Sequence, residues 1–522
     1  MKDINRVLDL GSSKLTVLLS LSGFMILVLL VIEDVDILHW RALWVWKAMP
    51  SEQTRISAGS IDPSCVSRSS QHLYRANKVA DISPTLLESW KRYGELHRKC
   101  APSNWTEVLE ESSHVNSSCK FMIYVETHEG LGNRILSLLS ALLYSMITDR
   151  VLMIDSRKEV GKILCEPFQG SSWLLPADFP YGEPWFSSLW FPEIVKHAPD
   201  LGQAIDKNFS VPIVHLHLAH VQRETDKLFF CNEFQEPLSH VRTLAWSSNQ
   251  YFVSSFFKVP WMWRKLVTLF PGSRLDIFAQ LSSLAIAPAN SIWSLVSRFY
   301  NSYLSCSKSR VGVQIRTHSR PDLASFDPLV NQIVSRCLTS HHLLPNLSSS
   351  SSPSLIEFEK QQQQQHQVDV SVFVASLQGK YYETLRDEFL QNGTASEELV
   401  SFHSLSSEGA EWHNLHQASL ALAEMWLLSF AHHLATSEFS TFGYISRGLA
   451  RTRPWMLKIR GTELHPEGDV CYLSQSSEPC THFPQQPDCS SARNISTEHR
   501  EWIKRHLGGC QDQRGGLQLL NL

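Results

Sequence analysis

The sequence predicts an α/β protein with parallel sheets, and the clearest basis is a strand–turn–helix–strand unit near residue 130. An apolar run at residues 121–125 leads into the turn Gly130-Leu-Gly-Asn-Arg134. Apolar residues then recur at helical spacing through residues 135–147, and residues 151–154 have the composition of a second strand. This order of elements is that of a βαβ unit.

The second half of the chain repeats the alternation of strands and helices. Apolar strand candidates occupy residues 311–315 and 370–375, residues 415–433 form a long helix candidate, and residues 455–457 end a later strand. Strands that alternate with helices favour parallel sheets, which bind ligands at the carboxyl ends of their strands. We therefore expect two lobes with a cleft between them, one of residues 116–305 and one of residues 306–522.

The N-terminal region has the features of a membrane anchor. Residues 15–32 form an eighteen-residue run without a charge, and Lys2, Arg6 and Lys14 precede it. This length is near the lower limit for a bilayer span, and the cations favour a cytoplasmic tail at residues 1–14. We expect an uncleaved signal anchor followed by a lumenal stem at residues 33–115. A cleaved signal peptide is the alternative, although no small-x-small cleavage site follows the run.

Features typical of a secretory lumen follow the predicted span. Glycosylation sequons begin at Asn104, Asn116, Asn208, Asn346, Asn392 and Asn494. Of the eleven cysteines, Cys471, Cys480, Cys489 and Cys510 predict disulfides that staple a loop-rich tail at residues 471–522. Because eleven is odd, at least one thiol is left over. Residues 346–367, which are rich in serine and glutamine, predict a disordered insert.

Composition and spacing argue against two other classes of ligand. The net charge of −4 provides no general basic field for nucleic acid. His215, His217 and His220 have no nearby cysteine or carboxylate that would complete a metal site. The only Asp-x-Asp pattern, Asp34-Val-Asp36, lies at the membrane flank. We therefore expect no metal and no nucleic acid partner.

The glycine turn of the first half is a candidate anion site. It places backbone N–H groups and the cation Arg134 at a helix N-terminus, where anions bind readily. The alternative is a tight turn that only leads into a core helix. The turn lacks the third glycine of a dinucleotide fingerprint and the Gly-Lys-Ser of a P-loop, so NAD and ATP are poor candidates.

Two segments of the second half extend this pattern. Arg316 ends an apolar strand, where it could hold a diphosphate through two parallel hydrogen bonds or belong to a structural ion pair. The segment Ser440-Thr-Phe-Gly-Tyr444 precedes a helix candidate and offers hydroxyl and N–H groups to a second anion. Ser440 or Thr441 could equally serve as a helix N-cap.

The ordered motifs of this chain are Gly130-Leu-Gly-Asn-Arg-Ile-Leu-Ser-Leu138, Thr148-Asp-Arg-Val-Leu152, Cys165-Glu-Pro-Phe168, Asp226-Lys-Leu-Phe-Phe-Cys231, Val313-Gln-Ile-Arg316, Ser440-Thr-Phe-Gly-Tyr444 and Glu478-Pro-Cys480. Together they resemble the plant cell-wall fucosyltransferases of the xyloglucan (galactoside) α-1,2 type. The resemblance implies a GT-B-like fold of two Rossmann-type lobes, with GDP-L-fucose as donor. It also implies inverting transfer to O2 of a terminal sugar, usually galactose, without a cofactor or metal. We further expect a type II Golgi membrane protein with a lumenal catalytic body, and a homodimer as an open option.

The resemblance also assigns roles to the candidate residues. Arg316 would hold the β-phosphate. The rest of the diphosphate site would comprise Ser440, Thr441, Phe442 and Gly443 from the donor-binding lobe and Gly132, Asn133 and Arg134 from the acceptor-side lobe.

The sequence departs from the family near the expected catalytic base. The usual Asp near Tyr251-Phe252 is replaced by Asn249, which cannot act as a base but could position a water or the acceptor. Thr317-His318 also replaces an apolar pair. Two alternatives therefore stay open: a catalytically impaired homologue that binds GDP or a glycan, and a transferase that uses another nucleotide sugar. The acceptor could be xyloglucan galactose, an arabinogalactan arabinose or another glycan.

Overall fold

The computed structural model of this 522-residue chain describes residues 64–76, 82–101, 119–176, 179, 189–190, 213–219, 224–272, 275–317, 323–348, 368–405, 414–460, 464–487, 489 and 495–520. All of these residues belong to one unit, which spans residues 59–522. The predicted cytoplasmic tail at residues 1–14 and membrane span at residues 15–32 lie outside the described residues. Within the described residues, no helix combines the length and the hydrophobicity needed to cross a bilayer.

The strands of the described residues form two large sheets and one hairpin. They are β1 Lys120–Val125, β2 Arg150–Ile154, β3 Leu189–Trp190, β4 Val214–His217, β5 Thr243–Ser247, β6 Ser309–Ile315, β7 Val370–Ser376, β8 Val400–His403, β9 His433–Ser437, β10 Trp455–Leu457, β11 Cys471–Leu473, β12 Leu507–Gly509 and β13 Leu517–Leu519. The last two form the hairpin.

The α-helices of the described residues connect the strands and flank the sheets. They are α1 Val66–Ser70, α2 Pro84–Cys100, α3 Leu131–Ile147, α4 Glu159–Ile163, α5 Glu224–Lys227, α6 Gln235–His240, α7 Val253–Phe256, α8 Pro260–Leu269, α9 Ile277–Ala285, α10 Asn290–Phe299, α11 Leu323–Ser340, α12 Gly379–Asn392, α13 Leu415–Ser429, α14 Thr441–Ala450 and α15 Thr497–His506. Short 3₁₀ turns occur at Gln71–Leu73, Leu228–Phe230 and Asn232–Phe234, and a π-helical turn occupies Tyr300–Leu304.

The first sheet has the order β2-β1-β5-β4-β3, and every neighbouring pair is parallel. The predicted βαβ unit is confirmed as β1, α3 and β2. All of β2 is buried, as is the whole of α3 except Asn133. A helix that is apolar on nearly all sides packs inside the core, which explains why this unit had the clearest sequence pattern.

The second sheet has the order β11-β10-β9-β6-β7-β8, and only the pairing of β11 with β10 is antiparallel. Numbered from β6, this is the 3-2-1-4-5-6 order of a doubly wound sheet. The direction in which strands are added reverses between β6 and β9. In such sheets the crevice at the carboxyl ends of these two strands is the ligand site.

Helix α2 belongs to the first lobe, although the sequence assigned it to the stem. It buries Leu86, Trp90 and Tyr93 in the main hydrophobic core, and the ring centroid of Trp90 lies 4.7 Å from that of Phe168. These three residues follow the i, i+4, i+7 spacing of one helix face, which the polar composition around them conceals. The stem prediction is therefore wrong for residues 82–101.

Five disulfides join ten of the eleven cysteines: Cys65–Cys165, Cys100–Cys119, Cys231–Cys489, Cys337–Cys471 and Cys480–Cys510. The exposed Cys306 lies outside these bonds. The first bond ties residues 64–76 to the body, so the stem prediction is wrong there as well. Only Cys480–Cys510 closes within the predicted tail. Cys471 and Cys489 bond to earlier parts of the chain, because partners are decided by proximity in the fold.

Other predicted boundaries also differ from those in the structure. The helix predicted at residues 415–433 ends at Ser429, and a strand begins at His433. The predicted insert begins too early, because Leu347 bridges to Thr394, and its residues 349–367 lie outside the described part. Among the sequons, Asn346 and Asn392 are described and exposed, while the other four lie outside the described residues.

The Cys231–Cys489 bond is expected to stabilise the fold substantially. Replacing both cysteines with serine should lower the free energy of unfolding by about 2–5 kcal/mol, because the bond closes a loop of 258 residues. Urea unfolding measures this change. The matched control, Cys306→Ser, should stay within about 0.5 kcal/mol of the wild type. Equal unfolding midpoints for the double variant and the control would contradict the prediction.

Candidate functional site

The candidate site lies at the reversal point of the second sheet, where hydrogen bonds tie the ends of β6 and β9 together. Ser437 Oγ accepts from the backbone N–H of Arg316 at 2.7 Å and donates to the carbonyl of Gln314 at 3.1 Å. The chain leaving β6 is thereby held next to the turn that leads from β9 into α14. The predicted Arg316 and the predicted segment from Ser440 to Gly443 are therefore neighbours.

Arg316 has an environment that suits anion binding. Its side chain is half-buried, and burial lowers the pKa of its guanidinium from the ordinary value. No described residue forms a hydrogen bond or ion pair with that guanidinium. A partly desolvated cation without a carboxylate partner is costly until an anion binds. Within the described residues, the arrangement thus favours the ligand-binding interpretation over the structural ion pair.

The start of α14 provides N–H groups beside Arg316. Ser440 is the N-cap, and its Oγ accepts from the N–H of Gly443 at 3.4 Å, so the capping interpretation is confirmed. The half-exposed Thr441 and Phe442 follow, and their N–H groups have no partner within the helix. A Cβ on Gly443 would lie 3.0 Å from Gln314 Oε1 and from Thr436 Cβ. Glycine there lets the helix approach the sheet closely.

A strained turn holds this helix start in position. Phe439 has a φ of 56°, a left-handed conformation that bulky residues rarely adopt. Asp512 Oδ2 accepts from the Phe439 N–H at 3.1 Å and from Tyr444 Oη at 2.6 Å. The guanidinium carbon of Arg460 lies 4.0 Å from the centroid of the Phe439 ring. Sequence reasoning missed these residues because no local pattern marks a turn that distant side chains stabilise.

The glycine turn of the first lobe meets the start of α14. A Cβ on Gly132 would lie 2.7 Å from Thr441 Oγ1, 2.8 Å from the Thr441 carbonyl carbon and 3.0 Å from the Phe442 nitrogen. The starts of α3 and α14 thus touch at a seam, defined here by Gly132, Thr441 and Phe442. Asn133 lies beside it and is half-exposed. The sequence predicted these segments to flank one site, and the structure brings them together.

Arg134 does not have the predicted environment. Its side chain is buried and forms ion pairs with Glu126 and, at 2.8 Å, with Glu159. Glu126 also accepts from the N–H of Val160 at 3.3 Å. Two carboxylates therefore neutralise Arg134. The ion pairs connect α3 to the loop after β1 and to α4. The prediction that it presents a cation to a ligand is not supported by this arrangement.

Asn249 follows β5, and β5 lies next to β1 in the first sheet. Its side chain is buried, and its Nδ2 donates to Glu129 Oε1 at 3.0 Å. Glu129 precedes the glycine turn directly. Sequence reasoning missed Glu129 because 120 residues separate it from Asn249. Their contact exists only because β1 and β5 are adjacent.

Possible metal ligands form two groups among the described residues. One contains Cys231 and Cys489, and the other contains Cys480 and Cys510. Each group is built around a disulfide, so its sulfur atoms are not available as thiolates. His215 and His217 of β4 belong to neither group.

A second contact between the two lobes is made by the buried residue Glu478. It is 1% exposed, and its carboxylate accepts from the Phe278 N–H at 2.9 Å and from Tyr251 Oη at 3.2 Å. Arg447 donates to the Glu478 carbonyl at 2.7 Å. Burial raises the pKa of Glu478 to about 8, although its hydrogen bonds and Arg447 act in the opposite direction.

This raised pKa predicts a pH-dependent stability. The folded Glu478 retains a proton that the unfolded chain, with a pKa near 4.5, releases. Stability is therefore expected to fall as the pH rises from about 4.5 to about 8, and Glu478→Gln should become more stable relative to the wild type over this interval. Urea unfolding of both proteins across this range tests it, with the exposed Glu95→Gln as control. A difference that does not change with pH would contradict the prediction.

These features define an α/β protein with two lobes of largely parallel sheets and a seam where two helix starts meet, an architecture typical of nucleotide-binding proteins. A sequence model of the xyloglucan fucosyltransferase family matches residues 54–490, and the chain belongs to that family. The predicted family and fucosyltransferase class are thereby confirmed.

The chain is similar to two plant enzymes and to one solved structure. It is 33% identical over 478 residues to galactoside 2-alpha-L-fucosyltransferase of Arabidopsis thaliana, covering 89% of this chain and 82% of that protein. It is 32% identical over 485 residues to the Pisum sativum enzyme of the same name, covering 89% and 81%. A structure of an Arabidopsis thaliana FUT1 mutant in complex with GDP superposes with a TM-score of 0.75 at 32% identity, covering 89% of this chain and 99% of that one.

Proposed function

We propose that the protein transfers L-fucose from GDP-L-fucose to O2 of a terminal galactose, or a similar sugar, on a cell-wall glycan such as xyloglucan, with inversion at the fucose carbon. The observation that carries this proposal is the half-buried Arg316 beside the start of α14. The similar FUT1 structure contains GDP, and the similar plant enzymes are named as galactoside 2-alpha-L-fucosyltransferases. Two lobes that each contain a largely parallel sheet also support a GT-B-like arrangement.

The chemistry required of these residues is stabilisation of a departing diphosphate. Negative charge grows on the β-phosphate as its bond to the fucose carbon breaks. The planar guanidinium of Arg316 can donate two parallel hydrogen bonds to phosphate oxygens. The N–H groups of Thr441 and Phe442, with the positive end of the helix dipole, can contact the same group. Preorganised donors of this kind lower the barrier because they need no reorientation during the reaction. We propose that this suffices without a metal.

The cellular setting is part of the proposal. We place the protein in the Golgi membrane through residues 15–32, with type II orientation and the catalytic body in the lumen. The five disulfides support an oxidising compartment, and the exposed Asn346 and Asn392 support access for glycosylation. A homodimer is compatible with this setting.

The full chain, purified in detergent from a secretory host, tests the activity. It should consume GDP-fucose in the presence of a wall glycan, and linkage analysis should locate fucose on O2. A panel of xyloglucan and arabinogalactan acceptors identifies the acceptor class, and a panel of nucleotide sugars tests the donor. GDP binding without turnover would identify an impaired homologue. Turnover of a different nucleotide sugar alone would overturn the proposed donor.

A further inference from the structure

We propose that Glu129 is the general base of this transfer reaction and that Asn249 orients it. The inference rests on the proposed function and deepens it, because it names the group that removes the acceptor proton. Inverting transfer requires such a base, since the attacking hydroxyl must lose its proton as it bonds to the fucose carbon. Asn249 cannot accept that proton, but its contact with Glu129 identifies a carboxylate that can.

The two oxygens of Glu129 have different environments. Oε1 accepts from Asn249 Nδ2 at 3.0 Å. Oε2 is shielded from solvent and has no hydrogen-bond partner among the residues that the structure describes. A buried carboxylate oxygen without a donor is costly, so such an atom in a native structure requires an explanation. An incoming hydroxyl group would supply the missing donor and would meet the oxygen that is not already engaged.

The position of Glu129 fits this role. It lies in the loop after β1, beside the end of β5, at the carboxyl edge of two adjacent parallel strands. It is three residues before Gly132, which contacts Thr441 at the seam. The carboxylate is therefore in the loop that joins the first lobe to the proposed diphosphate site.

The other carboxylates near the seam form ion pairs or hydrogen bonds with other residues. Glu126 in the same loop is paired with Arg134. Across the seam, Asp512 accepts from Tyr444 and from the Phe439 N–H, and Glu438 accepts from Tyr472 Oη at 3.0 Å. Glu129, in contrast, has a neutral amide as the partner of Oε1. An amide fixes the orientation of a carboxylate without neutralising it, so Oε2 keeps its capacity to accept a proton.

The acceptor oxygen forms a bond to the anomeric carbon of fucose on the face opposite GDP. The bond between that carbon and the β-phosphate oxygen breaks, and its electron pair leaves with GDP, next to Arg316. The proton of the acceptor hydroxyl moves to Glu129 Oε2. The products are the fucosylated glycan, GDP and a protonated Glu129, which returns its proton to solvent.

The test uses Glu129→Gln in the full chain. Glutamine can still accept the hydrogen bond from Asn249 but cannot take up a proton, so kcat should fall by about 10²–10⁴ while GDP affinity stays unchanged. The exposed Glu95→Gln is the matched control and should retain kcat within about twofold, as expected for a surface position. Thermal melting and GDP binding identify any variant that has lost its fold.

A charge-swapped double variant separates proton transfer from a structural role. Glu129→Gln combined with Asn249→Asp restores one carboxylate and one amide across the same contact. It should recover kcat at least about tenfold over Glu129→Gln, because a base is again present at this site. A structural role alone would predict no loss of kcat in Glu129→Gln, because glutamine still accepts the hydrogen bond from Asn249, and therefore no gain in the double variant.

The outcomes of this experiment are distinct. If Glu129→Gln keeps more than about a tenth of wild-type kcat, Glu129 is not the base, since removal of a general base costs at least about 10². Failure of the double variant to recover kcat, despite normal melting and GDP binding, also overturns the proposal. If the wild type consumes no GDP-fucose with any acceptor, the proposed function itself fails, and the role of Glu129 fails with it.

Discussion

Arg316→Ala is expected to lower kcat/KM for GDP-fucose by about 10²–10³, the usual cost of removing one preorganised donor to a developing negative charge. The guanidinium lies at the end of β6, is half-buried and has no partner among the described residues. Its removal should therefore leave the departing diphosphate less stabilised without breaking an ion pair that the structure describes. Steady-state release of GDP measures the effect, with the exposed Arg92→Ala as control.

Arg316→Lys separates charge from geometry at the same position. Lysine keeps the positive charge but lacks the planar fork that donates two parallel hydrogen bonds to a phosphate. We expect its kcat/KM to be nearly as low as that of Arg316→Ala. Near-normal turnover by the lysine variant would show that charge alone is sufficient and would contradict the bidentate role.

Gly132→Ala has the second large expected effect. Its Cβ would lie 2.8 Å from the Thr441 carbonyl carbon and 3.0 Å from the Phe442 nitrogen. These are backbone atoms, so no rotamer change can relieve the overlap and the two helix starts must move apart. Overpacking of this kind costs about 1–3 kcal/mol of stability. A displacement of about 1 Å at the site can lower the rate about 10²-fold.

Gly468→Ala is the matched control for this substitution. A Cβ on Gly468 would have only the His465 carbonyl oxygen nearby, at 3.9 Å, which is ordinary contact. We expect its unfolding midpoint and kcat to stay close to those of the wild type. If Gly132→Ala had the same unfolding midpoint and kcat as this control, the starts of α3 and α14 could move apart without loss of function. The role assigned to the seam would then be wrong.

Local periodicity was sufficient to predict the buried elements of the fold. β1, α3 and β2 were recognisable because a parallel strand and a fully buried helix are almost entirely apolar. Local periodicity was insufficient for elements that bury only one face or that contain only a few residues. The polar face of α2 concealed its apolar face, and the helix predicted at residues 415–433 extended into the first residue of β9, a strand that the sequence did not predict.

Motif reasoning identified the segments of the candidate site but not the role of every side chain. Gly132 and Thr441 do meet, and Arg316 does lie beside the start of α14. Arg134, however, is an equally plausible anion ligand in the sequence, and the structure shows it paired with Glu126 and Glu159. The carboxylate Glu129 had no signal at all in the sequence.

By itself, the sequence determined the class of fold, the order of the segments and the chemical groups that each segment offers, because these depend on residue type and spacing. The tertiary structure alone decided which of those groups remain available to a ligand. Arg134 is neutralised by residues 8 and 25 positions away, whereas the guanidinium of Arg316 has no partner among the described residues. Glu129 and Asn249 meet only across adjacent strands. Electrostatic and hydrogen-bond partners depend on distance in space, which spacing along the chain does not specify.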